Sequence, residues 1–172
     1  YKDQNVLKSK SLCVISDFLE HNTAVVHTFQ KHLVSEIKYT LPAVEKLIYF
    51  SDGASSQYKN KKNFANLCRH SDDFGLDAEW NFFASCHGKS PCDGVGGTSK
   101  REAARASLQR PFKDQILTPL QLYEFCSENI SGIKYLFVPK QEVETAIMRL
   151  SGRFQFCIPV PSTREKHRFI PV

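Results

Sequence analysis

Residues 47–60 have the sequence LIYFSDGASSQYKN, an apolar run that stops abruptly at the turn-forming tripeptide Ser-Asp-Gly. A short apolar run bounded by a tight turn is typical of a buried strand, which here ends by presenting the carboxylate of Asp52. The structural alternative is a plain Asp-Gly turn, in which that carboxylate accepts a hydrogen bond from its own backbone. We interpret Asp52 as a functional acid, because the strand before it is apolar and the loop after it is polar.

A second segment repeats this layout. Residues 80–101 have the sequence WNFFASCHGKSPCDGVGGTSKR, which predicts an aromatic strand over 79–85, a strand end at His87 and a glycine-rich loop that carries Asp93. Ser99 with Glu102 three residues later fits a capping box, so we expect a helix from about residue 100 to residue 108. Two strand ends that each offer an acid beside lysines are suited to bind a divalent metal ion together with a phosphate group.

The rest of the chain alternates predicted strands and helices. Apolar runs predict strands at 11–18, 134–138 and 154–160, and helical spacings predict helices beginning near residues 22, 58, 118 and 139. This alternation implies right-handed crossovers and a largely parallel sheet, with functional groups at the carboxyl ends of the strands. Asp17, Asp52 and His87 each follow an apolar run and could therefore lie along one edge. We interpret Asp17 as an acid beside a helix N-terminus rather than as a ligand.

Composition limits the class of protein. The chain has 172 residues, which suggests one domain or one domain with an appendage, and its 41% hydrophobic and 24% charged residues are ordinary for a soluble globular protein. No apolar stretch approaches the roughly 18 residues of a membrane span, and no signal peptide is visible. Six scattered cysteines without a C-x-x-C pair favour buried thiols in a reducing compartment. Because the chain begins at Tyr1 rather than Met, we expect a fragment of a longer protein.

Several site chemistries compete for these residues. Cys68, His70, Cys86 and Cys92 offer zinc-type ligands, but their spacing matches no standard zinc pattern. His87 could bind a metal, transfer a proton, contact a phosphate or be structural. The glycines of residues 94–97 could cradle a phosphate at a helix N-terminus, although they are not followed by the Gly-Lys-Ser/Thr of a nucleotide-binding loop. Cations gather around both loops, which favours a nucleic-acid backbone over a merely solvated face; they are Lys59, Lys61, Lys62, Lys89, Lys100 and Arg101.

These two segments also resemble a known family. Residues 51–60 resemble the second-acid segment of DDE transposases and retroviral-integrase-like enzymes, in which a strand ends in Asp-Asn-Gly, followed shortly by an aromatic residue and a polar pair. Residues 80–101, with Phe-Phe-Ala, His-Gly-Lys and Asp-Gly-x-Gly-Gly in succession, are similar to transposon-derived eukaryotic proteins of that type. The resemblance covers roughly residues 11–108 well and the remainder loosely.

The resemblance implies a ribonuclease-H-like α/β fold, with a mixed sheet flanked by helices and shortened at its N-terminus. Residues 1–110 would form the catalytic-core segment, and residues 111–172 a small helix and strand extension packed on it. The implied activity is metal-dependent cleavage and transfer of DNA strands in the nucleus, with Mg²⁺ or Mn²⁺ as the cofactor. Asp52 corresponds to the second acid, and for the third we favour Asp93, assisted by His87, over Glu102. The first acid would lie upstream of Tyr1.

Two other hypotheses remain open from the sequence. A domesticated transposase that has lost catalysis would still bind DNA through its lysines, with a steep salt dependence and no metal-dependent cleavage. A structural zinc domain is the third hypothesis. The sequence leaves self-association open as well.

Overall fold

The computed structural model describes residues 2–3, 6–83 and 90–172. The chain belongs to the mixed α/β class and divides into two compact units, both discontinuous in sequence: Tyr1–Asp17 with Lys89–Pro139, and Phe18–Gly88 with Lys140–Val172. We call these unit 1 and unit 2. The predicted division near residue 110 is a different partition of the chain.

The described helices and strands are, in chain order, β1 (Lys2–Asp3), β2 (Val6–Leu7), β3 (Ser11–Ser16), α1 (Thr23–Thr40), β4 (Lys46–Ser51), α2 (Lys61–Cys68), α3 (His70–Phe74), β5 (Asp77–Phe82), α4 (Pro91–Gln109), α5 (Pro119–Asn129), β6 (Ile133–Val138), α6 (Lys140–Gln155) and β7 (Arg168–Phe169).

Unit 2 is built around a small mixed sheet. Strands β4 and β5 pair in parallel, and β7 joins β5 from the other side in the antiparallel sense. Trp80 and Phe82 of β5 point into a core with Phe64 and Leu67 of α2 and Val26 of α1. Because β4 and β5 are parallel, their carboxyl ends lie at the same edge of this sheet, and Asp52 follows directly at that edge.

Unit 1 is a parallel pair of strands covered by helices. Each of the six residues of β3 has a partner in β6, from Ser11 with Ile133 to Ser16 with Val138. Cys126 and Phe125 of α5 and Ala103 of α4 form the core against Tyr135 of β6. Among the described strands, β3 pairs with β6 and not with β4 or β5. The predicted single sheet, with Asp17 and Asp52 along one edge, is therefore wrong.

Two predicted elements at the C-terminal end are different in the structure. The strand predicted over 154–160 does not form, because α6 continues to Gln155 and the last strand is β7. The helix extends because the apolar residues Val143, Ile147, Leu150 and Phe154 continue the helical spacing, so that Phe154 completes the apolar stripe instead of starting a strand.

The glycine-rich loop and the helix start predicted after β5 are also wrong. Helix α4 begins at Pro91, with Ser90 as its N-cap residue, so that all the glycines of residues 94–97 are helical. Ser99 lies inside this helix, where it is buried, and its hydroxyl is 2.7 Å from the hydroxyl of Tyr135. A capping box at Ser99 is therefore absent from the structure, and Glu102 pairs with Arg105 one turn further on.

Candidate functional site

Asp52 stands at the end of a firmly held strand. The indole N–H of Trp80 donates to the hydroxyl of Ser51 over 2.8 Å, and the Phe83 N–H donates to the Ser51 carbonyl over 3.0 Å. The next residue, Asp52, is exposed, and its Oδ1 accepts a hydrogen bond from the Ala54 N–H over 3.0 Å. This bond is the one expected for a plain Asp-Gly turn, the structural alternative to a functional role of Asp52. It uses one carboxylate oxygen, and Oδ2 makes no hydrogen bond to any of the described residues.

The loop after Asp52 is ordered by backbone hydrogen bonds and by one side chain. The carbonyl of Ala54 accepts hydrogen bonds from the N–H groups of Gln57, Tyr58 and Lys59 over 2.8–3.3 Å. Asn60 ends the loop, and its Oδ1 caps α2 by accepting from the Lys62 and Asn63 N–H groups at 3.0 Å each. The loop is therefore fixed at both ends, so that Asp52 keeps a defined position relative to the start of α2.

The lysines that follow Asp52 have separate environments. Lys59 is half-buried, and its ammonium group donates to the Arg164 carbonyl over 3.1 Å and lies 5.2 Å from the centre of the Phe82 ring. Lys61 and Lys62 are exposed on the first turn of α2, and Lys62 lies 5.5 Å from the centre of the Phe154 ring. The structure thus places three predicted cations in the segment that follows Asp52, within unit 2.

A groove of about 720 Å³ opens beside this segment. The N-terminal ends of α1 and α2 both border it, and these ends carry partial positive charge that favours anions. Sequence reasoning missed the far wall, which comes from the last turns of α6. For the two helix ends that border the groove, the sequence did carry a signal, since a cap asparagine precedes each of α1 and α2. The residues that line the groove include Asn22, Asn60, Lys61, Lys62, Ile147 and Phe154.

The neighbouring strand carries a second acid, Glu79, in a very different setting. Glu79 is buried, and its Oε2 lies 2.8 Å from Arg168 and 2.9 Å from Lys46. The hydrogen bonds from Arg168 and Lys46 lower the pKa of Glu79 to about 2. This carboxylate is therefore ionised and already paired, which makes it a structural acid of the sheet.

A buried ionic network ties the helices of unit 2 together. Asp73 of α3 accepts two hydrogen bonds from the guanidinium group of Arg153, at 2.6 and 2.8 Å, and lies 2.9 Å from Nε2 of His27. Burial raises the pKa of Asp73, but the hydrogen bonds from Arg153 and His27 outweigh it and bring the value to about 2. Burial lowers the pKa of His27, although the hydrogen bond to Asp73 and the charge of Asp73 act to raise it. This network joins α1, α3 and α6 and so supports the scaffold that carries Asp52.

Asp93 lies in the first turn of α4 in unit 1. Its Oδ2 accepts a hydrogen bond from the Ser90 N–H over 2.9 Å, with the Ser90 hydroxyl 3.4 Å away, which is the acidic half of a capping box. The sequence prediction placed Asp93 in a loop before the helix, and the structure corrects this: Asp93 is on the helix that follows β5. Lys100 and Arg101 are exposed on the same helix.

The remaining predicted ligands divide into two groups. His87, Lys89 and Cys86 lie outside the described residues. His70 has both ring nitrogens engaged, because Nδ1 donates to the Leu76 carbonyl over 2.6 Å and Nε2 accepts from the Tyr49 hydroxyl over 2.8 Å. The described part of the chain contains no group of three or more His, Cys, Asp or Glu side chains suited to a metal ion.

Comparison with known proteins gives a family. A family model described as a domain of unknown function (DUF8701) matches residues 1–172, so the chain belongs to this family. No curated protein and no solved structure matches the chain. Among the helices of the described residues, none combines the length and the apolar character needed to cross a membrane.

Proposed function

We propose that this chain is the core of a metal-dependent polynucleotidyl transferase or nuclease acting on DNA, with the element order of the ribonuclease-H-like fold but with its described strands in separate sheets. The observation that carries the proposal is the exposed carboxylate of Asp52 at the carboxyl end of a strand in a parallel pair. The chain order β3, α1, β4, α2, α3, β5, α4 supports it as well. In this order one acid follows β4 and another lies on the helix after β5, as the resemblance to DDE transposases implies.

The donor chemistry of these acids fits Mg²⁺ or Mn²⁺. Mg²⁺ is usually held by one or two carboxylates, with waters and substrate phosphates completing its shell. We assign Asp52 and Asp93 as such carboxylate ligands, each with one oxygen in a local hydrogen bond. The bound ions would activate a water or a 3′-hydroxyl and stabilise the leaving oxygen. The chain's own part is to hold the Asp52 carboxylate in place through the hydrogen bond from the Ala54 N–H, while the Ser51 hydroxyl donates to the main-chain carbonyl of Asp52.

Positive side chains supply the affinity for DNA in this proposal. Lys61 and Lys62 are exposed beside the groove that borders the helix ends, and Lys59 is fixed next to Gly53 by its bond to the Arg164 carbonyl. Each phosphate neutralised by such a cation makes the slope of log affinity against log salt more negative by about 0.9. Lys100 and Arg101 extend the set of proposed contacts to α4.

The test is plasmid nicking by the purified protein in Mg²⁺, with Asp52→Asn as the variant. Asparagine keeps a side-chain oxygen that can accept from the Ala54 N–H, so the turn survives while the charged ligand is lost. Loss of a metal contact worth several kcal/mol should reduce nicking on the order of 100-fold or more. Asp72→Asn is the matched control, because Asp72 is an exposed surface acid paired with Arg69. Equal nicking by Asp52→Asn and wild type would refute the assignment.

A second candidate is an inactive module that only binds DNA. One observation favours it: both proposed ligands have local structural roles, Asp52 in a turn and Asp93 in a helix cap. Such a module would bind DNA with a steep salt dependence, Lys61→Gln and Lys62→Gln would lower the affinity, and Asp52→Asn would leave it unchanged. Wild-type protein that binds DNA but never nicks it in Mg²⁺ would support this candidate over the first.

A further inference from the structure

Helix α4 has two halves with different surroundings. From Ser99 onward it is anchored in unit 1, because Ser99 and Ala103 are buried and the hydroxyl of Ser99 lies 2.7 Å from that of Tyr135. The preceding turns, residues 91–98, are exposed or half-buried throughout. Apart from the N-terminal cap, the side-chain bonds that hold this first half within the described residues are those from the Ser99 hydroxyl to the Val95 carbonyl and from Arg101 to the Thr98 hydroxyl, both on α4 itself. Low contact density of this kind is a property of segments that open locally.

Glycines weaken this first half further. Gly94, Gly96 and Gly97 all fall within it, and each glycine in a helix lowers the local helix equilibrium by roughly fivefold relative to alanine. A methyl group built on Gly94 or Gly96 meets no atom of the described residues within 4 Å, and neither glycine has a positive φ. Neither crowding nor backbone conformation in the helix therefore requires them, so the helical state alone does not account for these glycines.

The cap of the same segment uses a proposed ligand. The Oδ2 atom of Asp93 accepts from the Ser90 N–H over 2.9 Å, and this bond helps to start the helix. A divalent cation bound to the Asp93 carboxylate would withdraw negative charge from it and so weaken the bond that Oδ2 accepts from the Ser90 N–H. It would also place positive charge at the positive end of the helix dipole, which disfavours the first turn.

We propose that residues 91–98 are a helix–coil switch that exchanges the Asp93 carboxylate between the helix cap and a divalent cation. In the helical state Asp93 caps α4, and in the open state the first two turns unwind up to Ser99 and release the carboxylate. The metal part of this inference rests on the proposed function, whereas the lability of residues 91–98 stands without it.

Hydrogen exchange of the purified protein, without DNA, tests the switch. The first four N–H groups of a helix have no partner within it, so the informative amides are those of residues 95–98, compared with those of residues 103–106 in the anchored half. We expect the amides of residues 95–98 to exchange at least roughly tenfold faster than those of 103–106, and to exchange faster still in Mg²⁺.

Three variants separate the causes. Gly94→Ala with Gly96→Ala should slow exchange at residues 95–98 by roughly 20-fold, since each substitution favours the helix and meets open space. Gly97 is left in place, because a methyl group there would lie 2.9 Å from the Arg101 guanidinium. Gly152→Ala is the matched control, as Gly152 lies in α6 with open space around it and should leave exchange in α4 unchanged. Asp93→Asn keeps an oxygen for the cap and should lose the response to Mg²⁺.

The outcomes are distinct. Equal protection of residues 95–98 and 103–106 in the metal-free protein would overturn the switch, whatever Mg²⁺ does. A double alanine variant that exchanges like wild type would overturn it as well. If residues 95–98 exchange fast and the two alanines slow that exchange, but Mg²⁺ does not change it, the lability of the segment is supported and the role of Asp93 as a metal ligand fails. A Mg²⁺ response that persists in Asp93→Asn would likewise remove Asp93 from the metal chemistry.

Discussion

Replacing Asp73 with Asn should destabilise unit 2 by a calculable amount. The pKa of Asp73 is about 2 in the folded chain, against an ordinary value of 3.8, because the hydrogen bonds from Arg153 and His27 outweigh the effect of burial. That difference, at 1.36 kcal/mol per pKa unit, corresponds to about 2.5 kcal/mol of folding stability at neutral pH. Removing one partner of a fully buried ion pair costs about 3–5 kcal/mol, but the side chain of Arg153 is 23% exposed and can regain water. We therefore expect a loss of roughly 2–3 kcal/mol.

Urea unfolding at pH 7, followed by tryptophan fluorescence, measures this loss. Trp80 is the single tryptophan of the chain and is 3% exposed in the core of unit 2, so its emission reports on that unit. Asp72→Asn is the matched control in the same helix, because the Asp72 side chain is 67% exposed and its pair with Arg69 is solvated. Exposed pairs of this kind contribute at most about 1 kcal/mol. Similar losses for the two variants would refute the network as a source of stability.

The same variant has a defined pH dependence. The pKa of Asp73 is lower in the folded chain than in the unfolded chain, so its contribution is complete well above pH 4 and disappears as the pH falls towards 2. The difference in the free energy of unfolding between wild type and Asp73→Asn should therefore shrink between about pH 4 and pH 2. Burial lowers the pKa of His27 below its ordinary value of 6.5, so protonation of His27 should weaken unit 2 below about pH 6.5. If the difference in the free energy of unfolding between wild type and Asp73→Asn stays constant from pH 7 to pH 2, the bonds from Arg153 and His27 to the ionised carboxylate are not its cause.

Two further changes test local features. Asn60→Ala removes the cap of α2, whose Oδ1 accepts from the Lys62 and Asn63 N–H groups, and should cost about 1–2 kcal/mol in the same fluorescence assay; an unchanged urea midpoint would show that the cap is dispensable. Tyr135→Phe removes the hydroxyl that bonds Ser99 and should cost about 1 kcal/mol in thermal unfolding followed by circular dichroism; an unaltered transition would mean that burial alone anchors α4.

Local patterns predicted most of the secondary structure. The apolar run before Asp52 forms β4, the aromatic run forms β5, and the helix predicted to begin near residue 118 is α5, which begins at Pro119. These elements have signals within a few residues: an abrupt turn, a period of apolar residues or a capping box. Pairing of β3 with β6 joins residues that lie more than a hundred positions apart, and no pattern within either strand specifies its partner.

The start of α4 shows why the candidate site was only partly predictable. Two nearby segments fit a capping box, Ser90 with Asp93 and Ser99 with Glu102, and the glycines between them favoured the second. In the structure the helix begins at the first of these, because Pro91 suits the first helical position and because Ser99 packs in the core beside Tyr135. That contact is invisible from the segment itself. Asp93 was therefore recognised as a candidate acid but assigned the wrong local structure.

Availability of its carboxylate oxygens distinguishes Asp52 from Glu79, the buried acid of the same sheet. Glu79 lies in the strand next to β4, and two cations already neutralise it, so a metal ion would have to displace both Lys46 and Arg168 to reach it. Asp52 has no ion pair with any described residue and spends one oxygen on a single backbone N–H. A ligand for a hard divalent cation must be ionised and must retain an oxygen that no stronger partner holds. Since Asp52 meets the second condition and Glu79 does not, the proposed function predicts that such an ion binds at the strand end of unit 2 rather than at the strand centre.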